Sequence, residues 1–226
     1  MPSPGSLPNV GPMPDAALFT REFECPSCGA PVPLARPGSR TLVCGYCGQT
    51  SHLNADSLQA VGEKNLLIDY GSVFQTGQQG KLGDRDFAVL GRMRFDYEDG
   101  FWDEWYLQFL DDGSEAWVQE DDGSFVLFQE QPRVEQPVDY DRIEVGRKVD
   151  LDETWTQVFI TSKSHARVNG GEGELPFRIV PGEDATFVEG IWSGKIFSLE
   201  LLAEGQIPFL GTLLKLDQIQ LSPAFS

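Results

Sequence analysis

The stretch FDYEDGFWDEWYLQFLDDGSEAWVQEDDGSFVLF, residues 95–128, decides the fold because three Asp-Gly pairs divide it into strand-length pieces. Asp-Gly favours a tight hairpin turn, since both residues accept the positive φ that such turns require. Aromatic and β-branched residues fill the segments between these turns. In one of them, Trp105, Leu107 and Phe109 share a face of the predicted strand. The stretch therefore predicts an antiparallel β meander.

The same alternation of short strands and turn residues extends outward, from about residue 66 to the C-terminus. The predicted strands are Phe87–Leu90, Met93–Tyr97, Trp105–Leu110, Glu115–Gln119, Phe125–Phe128, Gln157–Ser162, Ala166–Val168, Phe177–Val180, Thr186–Glu189, Phe197–Leu202 and Phe209–Leu214. The two halves match weakly, because each opens with a glycine, a polar loop and an aromatic-led strand. We predict a mainly β body of two consecutive small β-barrels or curved meanders, at residues 66–132 and 133–226.

Ahead of this body, all four cysteines of the chain stand in two short motifs, CPSC at residues 25–28 and CGYC at residues 44–47. Two C-x2-C pairs at this separation have the ligand spacing of a structural zinc site. Gly29 and Gly48 follow the pairs and supply the positive φ that a tight turn around a metal requires. A zinc ribbon is therefore predicted over residues 21–53. The predicted ligands of its one Zn²⁺ ion are Cys25, Cys28, Cys44 and Cys47.

Paired cysteines have two other uses, in disulfide bonds and in redox Cys-x-x-Cys centres. The sequence shows no secretory signal, which argues against disulfides. No βαβ pattern surrounds either pair, which argues against a thioredoxin-like centre. Both observations favour the metal.

The chain is strongly acidic, with 17 basic and 35 acidic side chains and a formal net charge of −18. Residues 1–53 carry equal numbers of basic and acidic side chains, so the whole net charge lies from Asn54 onward. Such a body repels phosphate backbones and anionic lipid headgroups. We therefore expect no nucleic acid binding by the acidic body.

The remaining segments carry no targeting or membrane signal. Residues 1–20 hold five prolines and are predicted to form a disordered tail, and residues 54–65 read as a polar connector. No run of 18 apolar residues exists, so no transmembrane segment is expected. Reduced thiols without an export signal favour a cytoplasmic location.

The stretch YEDGFWDEWY, residues 97–106, interleaves four acidic residues with aromatic ones. Aromatic faces beside carboxylates can bind a carbohydrate or a cation, and paired carboxylates can hydrolyse glycosides. A hairpin with solvated acids and buried aromatics explains the pattern equally. The candidate recognition residues are Phe101, Trp102, Asp103, Glu104, Trp105 and Tyr106.

Catalytic motifs are missing from the sequence. No G-x-S-x-G elbow, P-loop or G-x-G-x-x-G stands in the chain. The Asp-Gly turns lack the ligand alternation of a calcium loop. The sequence therefore predicts no catalytic residues and no enzyme.

With these residues in view, the chain resembles an uncharacterised bacterial family, the domain of unknown function 4178, over roughly residues 66–216. The segments that carry the resemblance are FAVLGR at 87–92, GFWDEWY at 100–106, DG at 112–113 with EAWV at 115–118, Gly123 before Phe125, GELP at 173–176 and PGE at 181–183. The resemblance implies no activity. It implies a frequent N-terminal zinc ribbon, and it suggests partners in membrane-stress or phage-shock-type systems and polyamine-related genes.

Three hypotheses follow from these observations. The first is a non-enzymatic adaptor or scaffold, in which the zinc ribbon presents a rigid surface to a protein partner. The second is an acidic binding module for a cationic small molecule such as a polyamine, because of the charge and the acid–aromatic stretch. The third, a hydrolase using Asp103 or Glu104, has the least support.

Overall fold

The computed structural model describes residues 21–134, 136–202 and 205–222, and the predicted Pro-rich tail at residues 1–20 lies outside them. Within these ranges the only helical elements are two short 3-10 turns, Tyr140–Arg142 and Leu216–Gln218. No helix there is long and apolar enough to cross a membrane. The first five strands are β1 (Arg21–Glu24), β2 (Pro31–Leu34), β3 (Thr41–Val43), β4 (Thr50–Asn54) and β5 (Ser57–Ala60). The others are β6 (Gln79–Leu82), β7 (Arg85–Tyr97), β8 (Gly100–Phe109), β9 (Glu115–Asp121), β10 (Ser124–Glu130), β11 (Lys148–Val149), β12 (Val158–Leu175), β13 (Asp184–Trp192), β14 (Lys195–Leu202), β15 (Gly205–Leu214) and β16 (Ile219–Leu221).

Eight of these strands close into a single antiparallel barrel. Around the barrel the order is β7, β8, β9, β10, β15, β14, β13 and β12, and β12 pairs back with β7. Closure leaves no free backbone edge within the barrel. The prediction of a mainly β fold with a cysteine-bearing N-terminal ribbon is confirmed.

The two halves of the body do not form separate modules. β10 pairs with β15 and β7 pairs with β12, so both seams join residues of the predicted first module, 66–132, to residues of the second, 133–226. A closed barrel needs strands from both halves, because neither half alone can satisfy the backbone hydrogen bonds at its edges. The two predicted modules are thus the two halves of one barrel.

The barrel strands are buried on both faces. One face packs inside the barrel, and the other is covered from outside by flanking segments. Trp102 and Tyr106 of β8 point into the barrel, whereas Trp105 and Leu107 of the same strand point outward. Outside, β6, β16 and Phe74 cover one flank of the wall. A segment that includes Val134, Ile143 and Trp155 covers another flank. This double burial explains why the strands carry apolar residues on both faces.

The longest strand, β12, is shared by several parts of the molecule. It pairs with β13, then with β7 and finally with β3 of the ribbon. A register shift between Val168 and Gly170 lets it bend around the barrel. Gly91 of β7 lies so close to it that a Cβ would stand 2.3 Å from the Glu174 carbonyl oxygen. The predicted strands at 157–162 and 166–168 merge into this element, while residues 177–180 are not a strand.

The ribbon consists of a two-stranded hairpin, β1–β2, and a three-stranded sheet, β3–β4–β5. Strand β5 falls inside the predicted connector at residues 54–65, so the ribbon is longer than the sequence indicated. Its apolar core is small and is built around Phe23, Val32, Leu34 and Leu42. Pairing of β3 with β12 fixes the ribbon to the barrel.

Candidate functional site

The four cysteines come together at one end of the ribbon, with all four Sγ atoms within 4.8 Å of one another. The Sγ atoms of Cys25 and Cys47 are 3.8 Å apart, and those of Cys28 and Cys44 are 3.7 Å apart. All four are free thiols, so no disulfide links them. A tetrahedron with metal–sulfur bonds of about 2.3 Å has edges of about 3.8 Å. The thiols therefore fit a four-coordinate metal ion.

The backbone of the two cysteine turns has the same geometry in each. The amides of Gly29 and Gly48 donate to the carbonyl oxygens of Cys25 and Cys44, both at 2.9 Å. Both glycines have positive φ, at 75° and 68°. Gly48 also lies against Asn65, whose carbonyl oxygen would be 2.4 Å from an added Cβ. Each turn thus presents its two sulfurs from a rigid loop that requires glycine.

A loop of the ribbon closes one end of the barrel, and Glu174 at the end of β12 anchors it. The carboxylate of Glu174 accepts hydrogen bonds from the amides of Ala35 and Arg36, at 3.0 and 3.2 Å, and from the Ser39 hydroxyl at 2.5 Å. Burial raises the pKa of this carboxyl, although these donors oppose the rise. Ala35 packs against the interior core of the barrel. We call this loop, residues 35–39, the floor of the barrel.

Arg36 fixes the floor from the inside. Its guanidinium donates to the Tyr106 hydroxyl and pairs with the Glu115 carboxylate. The Tyr106 hydroxyl donates in turn to Glu115 at 2.7 Å. Tyr106 is fully buried, and burial raises its pKa well above the ordinary value. The guanidinium of Arg36 is therefore already engaged by Tyr106 and Glu115.

Above the floor, a cavity of about 240 Å³ occupies the barrel. Its walls combine six aromatic rings with four carboxylates, and none of its lining residues is basic. The aromatic residues are Tyr97, Trp102, Trp117, Phe128, Phe187 and Phe209. The carboxylates belong to Glu104, Asp121, Glu189 and Glu200, and the polar remainder is Gln119, Ser164 and Ser198.

Two of these carboxylates lie deep in the barrel, on strands that face each other across it. Glu104 on β8 is 7% exposed and accepts a hydrogen bond from Trp102 Nε1 at 2.9 Å. Glu200 on β14 is 6% exposed, and no described side chain or backbone group donates to it or pairs with it. Burial, reinforced by the neighbouring charges of Glu104 and Glu130, raises the pKa of Glu200 well above its ordinary value.

Burial also raises the pKa of Glu104, from 4.5 to about 7, against the hydrogen bond from Trp102 and with help from the charge of Glu189. Because the folded-state pKa is the higher one, the stability linked to this carboxyl is fully present below pH 4.5. It is lost as the pH rises to about 7, and one pKa unit corresponds to about 1.4 kcal/mol. Between pH 5 and pH 8, the free energy of unfolding of the wild type should decrease because of this carboxyl. Glu104→Gln lacks the carboxyl, so its decrease over the same range should be smaller by about 2–3 kcal/mol.

Denaturant unfolding at several pH values checks this expectation. Glutamine keeps the shape of Glu104 and can still accept from Trp102. An identical pH dependence in the wild type and in Glu104→Gln would contradict the assignment.

The candidate recognition residues of the stretch 97–106 separate onto the two faces of β8. Trp102, Glu104 and Tyr106 point into the barrel, and Trp102 and Glu104 line the cavity. Trp105 lies outside in a packed cluster, and its Nε1 donates to Glu120 at 2.9 Å. Phe101, also outside, packs against Tyr70 with the two rings tilted by 34° and their centroids 4.8 Å apart. The stretch therefore contributes both to a cavity wall and to packing outside the barrel.

Asp103 lies in a buried network of ion pairs. Its carboxylate accepts from Arg94 Nε at 2.7 Å and Nη2 at 2.6 Å, and from Arg92 Nη1 at 3.3 Å. All three residues are buried. Adjacent residues point to opposite faces of a strand, so Asp103 and Glu104 lie on opposite sides of the barrel wall and do not form a carboxylate pair.

Several cavity residues were missed by sequence reasoning, most importantly Glu200. It stands in FSLELL, residues 197–202, where a single charged residue interrupts a strongly apolar predicted strand. A charge in such a position is seldom buried without a partner. A lone charge within an apolar strand is therefore the sequence signal that could have identified this cavity residue.

Comparison with known protein families gives a match, and this match covers most of the barrel. The family described as Domain of unknown function (DUF4178) matches residues 75–201, which is more than half of the 226 residues. No curated protein and no solved structure matches the chain. The match contains the strands β6–β13, β14 except its last residue, and the cavity residues from Tyr97 to Glu200. The chain therefore belongs to the DUF4178 family of domains of unknown function.

Proposed function

We propose that this protein is a non-enzymatic binding protein whose barrel holds a small organic cation such as a polyamine. The observation that carries the proposal is Glu200, a carboxylate that is 6% exposed, lines the cavity and has no partner among the described residues. Glu104 faces it from the opposite strand with a single hydrogen-bond donor. The cavity thus holds acidic groups for which the described chain supplies no cation.

The chemistry of the cavity selects for positive charge. Burying a carboxylate without a partner is costly, because the charge loses its hydration. A bound ammonium group removes that cost by pairing with it. The faces of Trp102, Trp117 and Tyr97 add attraction for a cation, since the π-system of an aromatic ring is negative on its face. An anion would meet only repulsion in this cavity.

The ribbon supplies a metal-held floor in this proposal. Its metal would be zinc, because four thiolates in a tetrahedron suit zinc and leave no open position for catalysis. Reduced thiols would place the protein in the cytoplasm. The ribbon would then keep one end of the barrel closed, so that a ligand enters from the other end.

Replacing Glu200 by glutamine is expected to lower the affinity for an organic cation by at least about tenfold. Spermidine and choline are suitable probes, and binding is measured at pH 8 by calorimetry and by the fluorescence of Trp102 and Trp117, which line the cavity. The same substitution is expected to raise the free energy of unfolding without ligand at pH 8, because the amide avoids the cost of burial that raises the pKa of the Glu200 carboxyl.

Glu153→Gln is the matched control, since Glu153 is exposed and the change in net charge is identical. Binding heat that disappears in about 0.15 M salt indicates unspecific charge attraction, which is screened at that ionic strength. That result, or equal losses in Glu200→Gln and Glu153→Gln, would refute a cation site in the barrel.

A second candidate function is an adaptor, and exposed apolar residues favour it. The strap, residues 62–74, runs outside β7 and exposes Leu66, Ile68 and Tyr70 by 59%, 63% and 64%. Tyr46 in the second cysteine turn is 83% exposed. Apolar groups gathered on one surface are typical of protein interfaces. The membrane-stress systems suggested by the family resemblance are where such a partner would be sought.

If the adaptor function is correct, Leu66→Asp should reduce recovery of a stoichiometric partner in a tagged pull-down by about tenfold, since an interface charge is costly to bury. Leu213→Asp is the matched control, because Leu213 on β15 is equally exposed, at 62%. Recovery of the same partner with both variants would exclude the strap as its docking surface.

A further inference from the structure

A second, outer cleft adjoins the cavity in the barrel. This cleft has a volume of about 480 Å³ and lies along the tips of the β7–β8 and β9–β10 hairpins. Tyr97 and Asp121 line both spaces. The ring of Tyr97 lies 5.7 Å from that of Trp102, measured between centroids. A ligand leaving the cavity past these residues would therefore enter the outer cleft directly.

The outer cleft resembles the inner cavity in its lining, except that the Arg94 guanidinium already lies over the rings of Tyr70 and Phe101, at 5.1 and 4.1 Å from their centroids. Aromatic rings and carboxylates line it, and none of its lining residues is basic. Asp103 and Glu120 on its wall are already engaged, with Arg94 and with Trp105. The carboxylates that remain belong to Asp99, Asp121 and Asp122, and no described residue pairs with them.

The three carboxylates gather around the phenol of Tyr97. The charge of Asp121, then burial and the charges of Asp122 and Asp99 raise the pKa of this phenol. Burial and the charges of Asp122 and Glu189 likewise raise the pKa of Asp121. Acidic side chains therefore extend from the interior cavity to the hairpin tips.

We propose that the inner cavity and the outer cleft are two connected subsites for one extended cation that carries at least two positive charges. The inner charge pairs with Glu200 and Glu104, the chain passes Tyr97 and Asp121, and the outer charge lies against Asp122 and Asp99. This inference rests on the proposed function, because the inner subsite is the proposed cation site. It adds a ligand class, linear oligoamines, in which charge spacing determines affinity.

The test compares ligands of matched length that differ in charge. Pentylamine and 1,4-diaminobutane have similar lengths, but only the diamine carries a second charge, and spermidine extends the series. Binding is measured by calorimetry at pH 8 in 0.15 M salt. The diamine or spermidine is expected to bind at least about tenfold more tightly than pentylamine.

Variants then assign the two charges. Asp122→Asn is expected to weaken spermidine binding about three- to tenfold and to leave pentylamine unchanged, whereas Glu200→Gln weakens both. Asparagine suits this position, since Asp122 has a φ of 49° and asparagine tolerates that conformation. Glu153→Gln again controls for net charge.

The outcomes separate the two proposals. If pentylamine binds in a Glu200-dependent manner but added charges give no gain, or if Asp122→Asn weakens both ligands equally, the two-subsite proposal is overturned and the cation site remains. If no amine binds in 0.15 M salt, both proposals fail.

Discussion

Replacing Cys44 and Cys47 by serine is expected to unfold the ribbon and to release the floor of the barrel. The apolar core of the ribbon is too small to hold it without a metal. Structural zinc contributes about 10–16 kcal/mol of apparent binding free energy in small zinc domains. Because residues 35–39 reach Glu174 from this ribbon, the floor should lose its protection as well. The barrel has three other core clusters and should stay folded.

Hydrogen exchange over residues 21–60, with elemental analysis of the purified protein, measures this effect. The wild type should carry one metal ion per chain and protect its ribbon amides, and the double variant should lose both. Tyr46→Ala is the matched control, because Tyr46 lies in the same turn, is exposed and offers no sulfur. Full protection of the ribbon in the double variant would show that the metal does not hold the fold.

Asp103→Asn is expected to lower the free energy of unfolding by about 3–5 kcal/mol, because it leaves the buried Arg94 without its carboxylate and Arg92 with Glu172 alone. Arg92 and Arg94 are 3% and 4% exposed, so water cannot replace the lost partner. Arg94 also donates to the carbonyl oxygen of Ile68, so the strap should loosen. Denaturant unfolding gives the free energy, and exchange at residues 62–74 reports on the strap.

Asp111→Asn provides the comparison, since Arg85 binds Asp111 with the same two-pronged geometry, at 2.9 and 2.7 Å. That pair is exposed, and its loss should cost no more than about 1 kcal/mol. If both variants lose the same amount, burial is not what makes the Asp103 pair strong.

Local sequence signals were enough for most of the barrel strands and for the two cysteine turns, although they placed a strand at 177–180 and missed β5. The turns at Asp99-Gly100, Asp112-Gly113 and Asp122-Gly123 follow the strands β7, β8 and β9, as predicted. Gly113, Asp122 and Gly123 have the expected positive φ, whereas neither Asp99 nor Gly100 does. The spacing of the cysteines predicted that their four sulfurs lie together, as the structure shows. In each case the residues that determine the feature are neighbours in sequence, so the pattern alone carries the information.

Closure of the barrel could not be read in the same way. The pairings of β10 with β15 and of β7 with β12 join distant segments, and a strand that is apolar on both faces does not show which partner it selects. Consequently the sequence favoured two modules. It also left Trp102 and Trp105 equivalent, although one lines the cavity and the other packs outside the wall. Glu200 could be identified as a site residue only from the structure, which shows that it is buried and that no described residue pairs with its carboxylate.

The way the barrel closes has a consequence for where the family's domain ends. The match to the family stops at residue 201, before β15, yet β15 is the strand that joins β10 to β14. A fragment cut at that boundary would expose two long hydrogen-bonding edges, the arrangement that leads proteins to aggregate. The autonomous folding unit must therefore reach at least to Leu214, the last residue of β15.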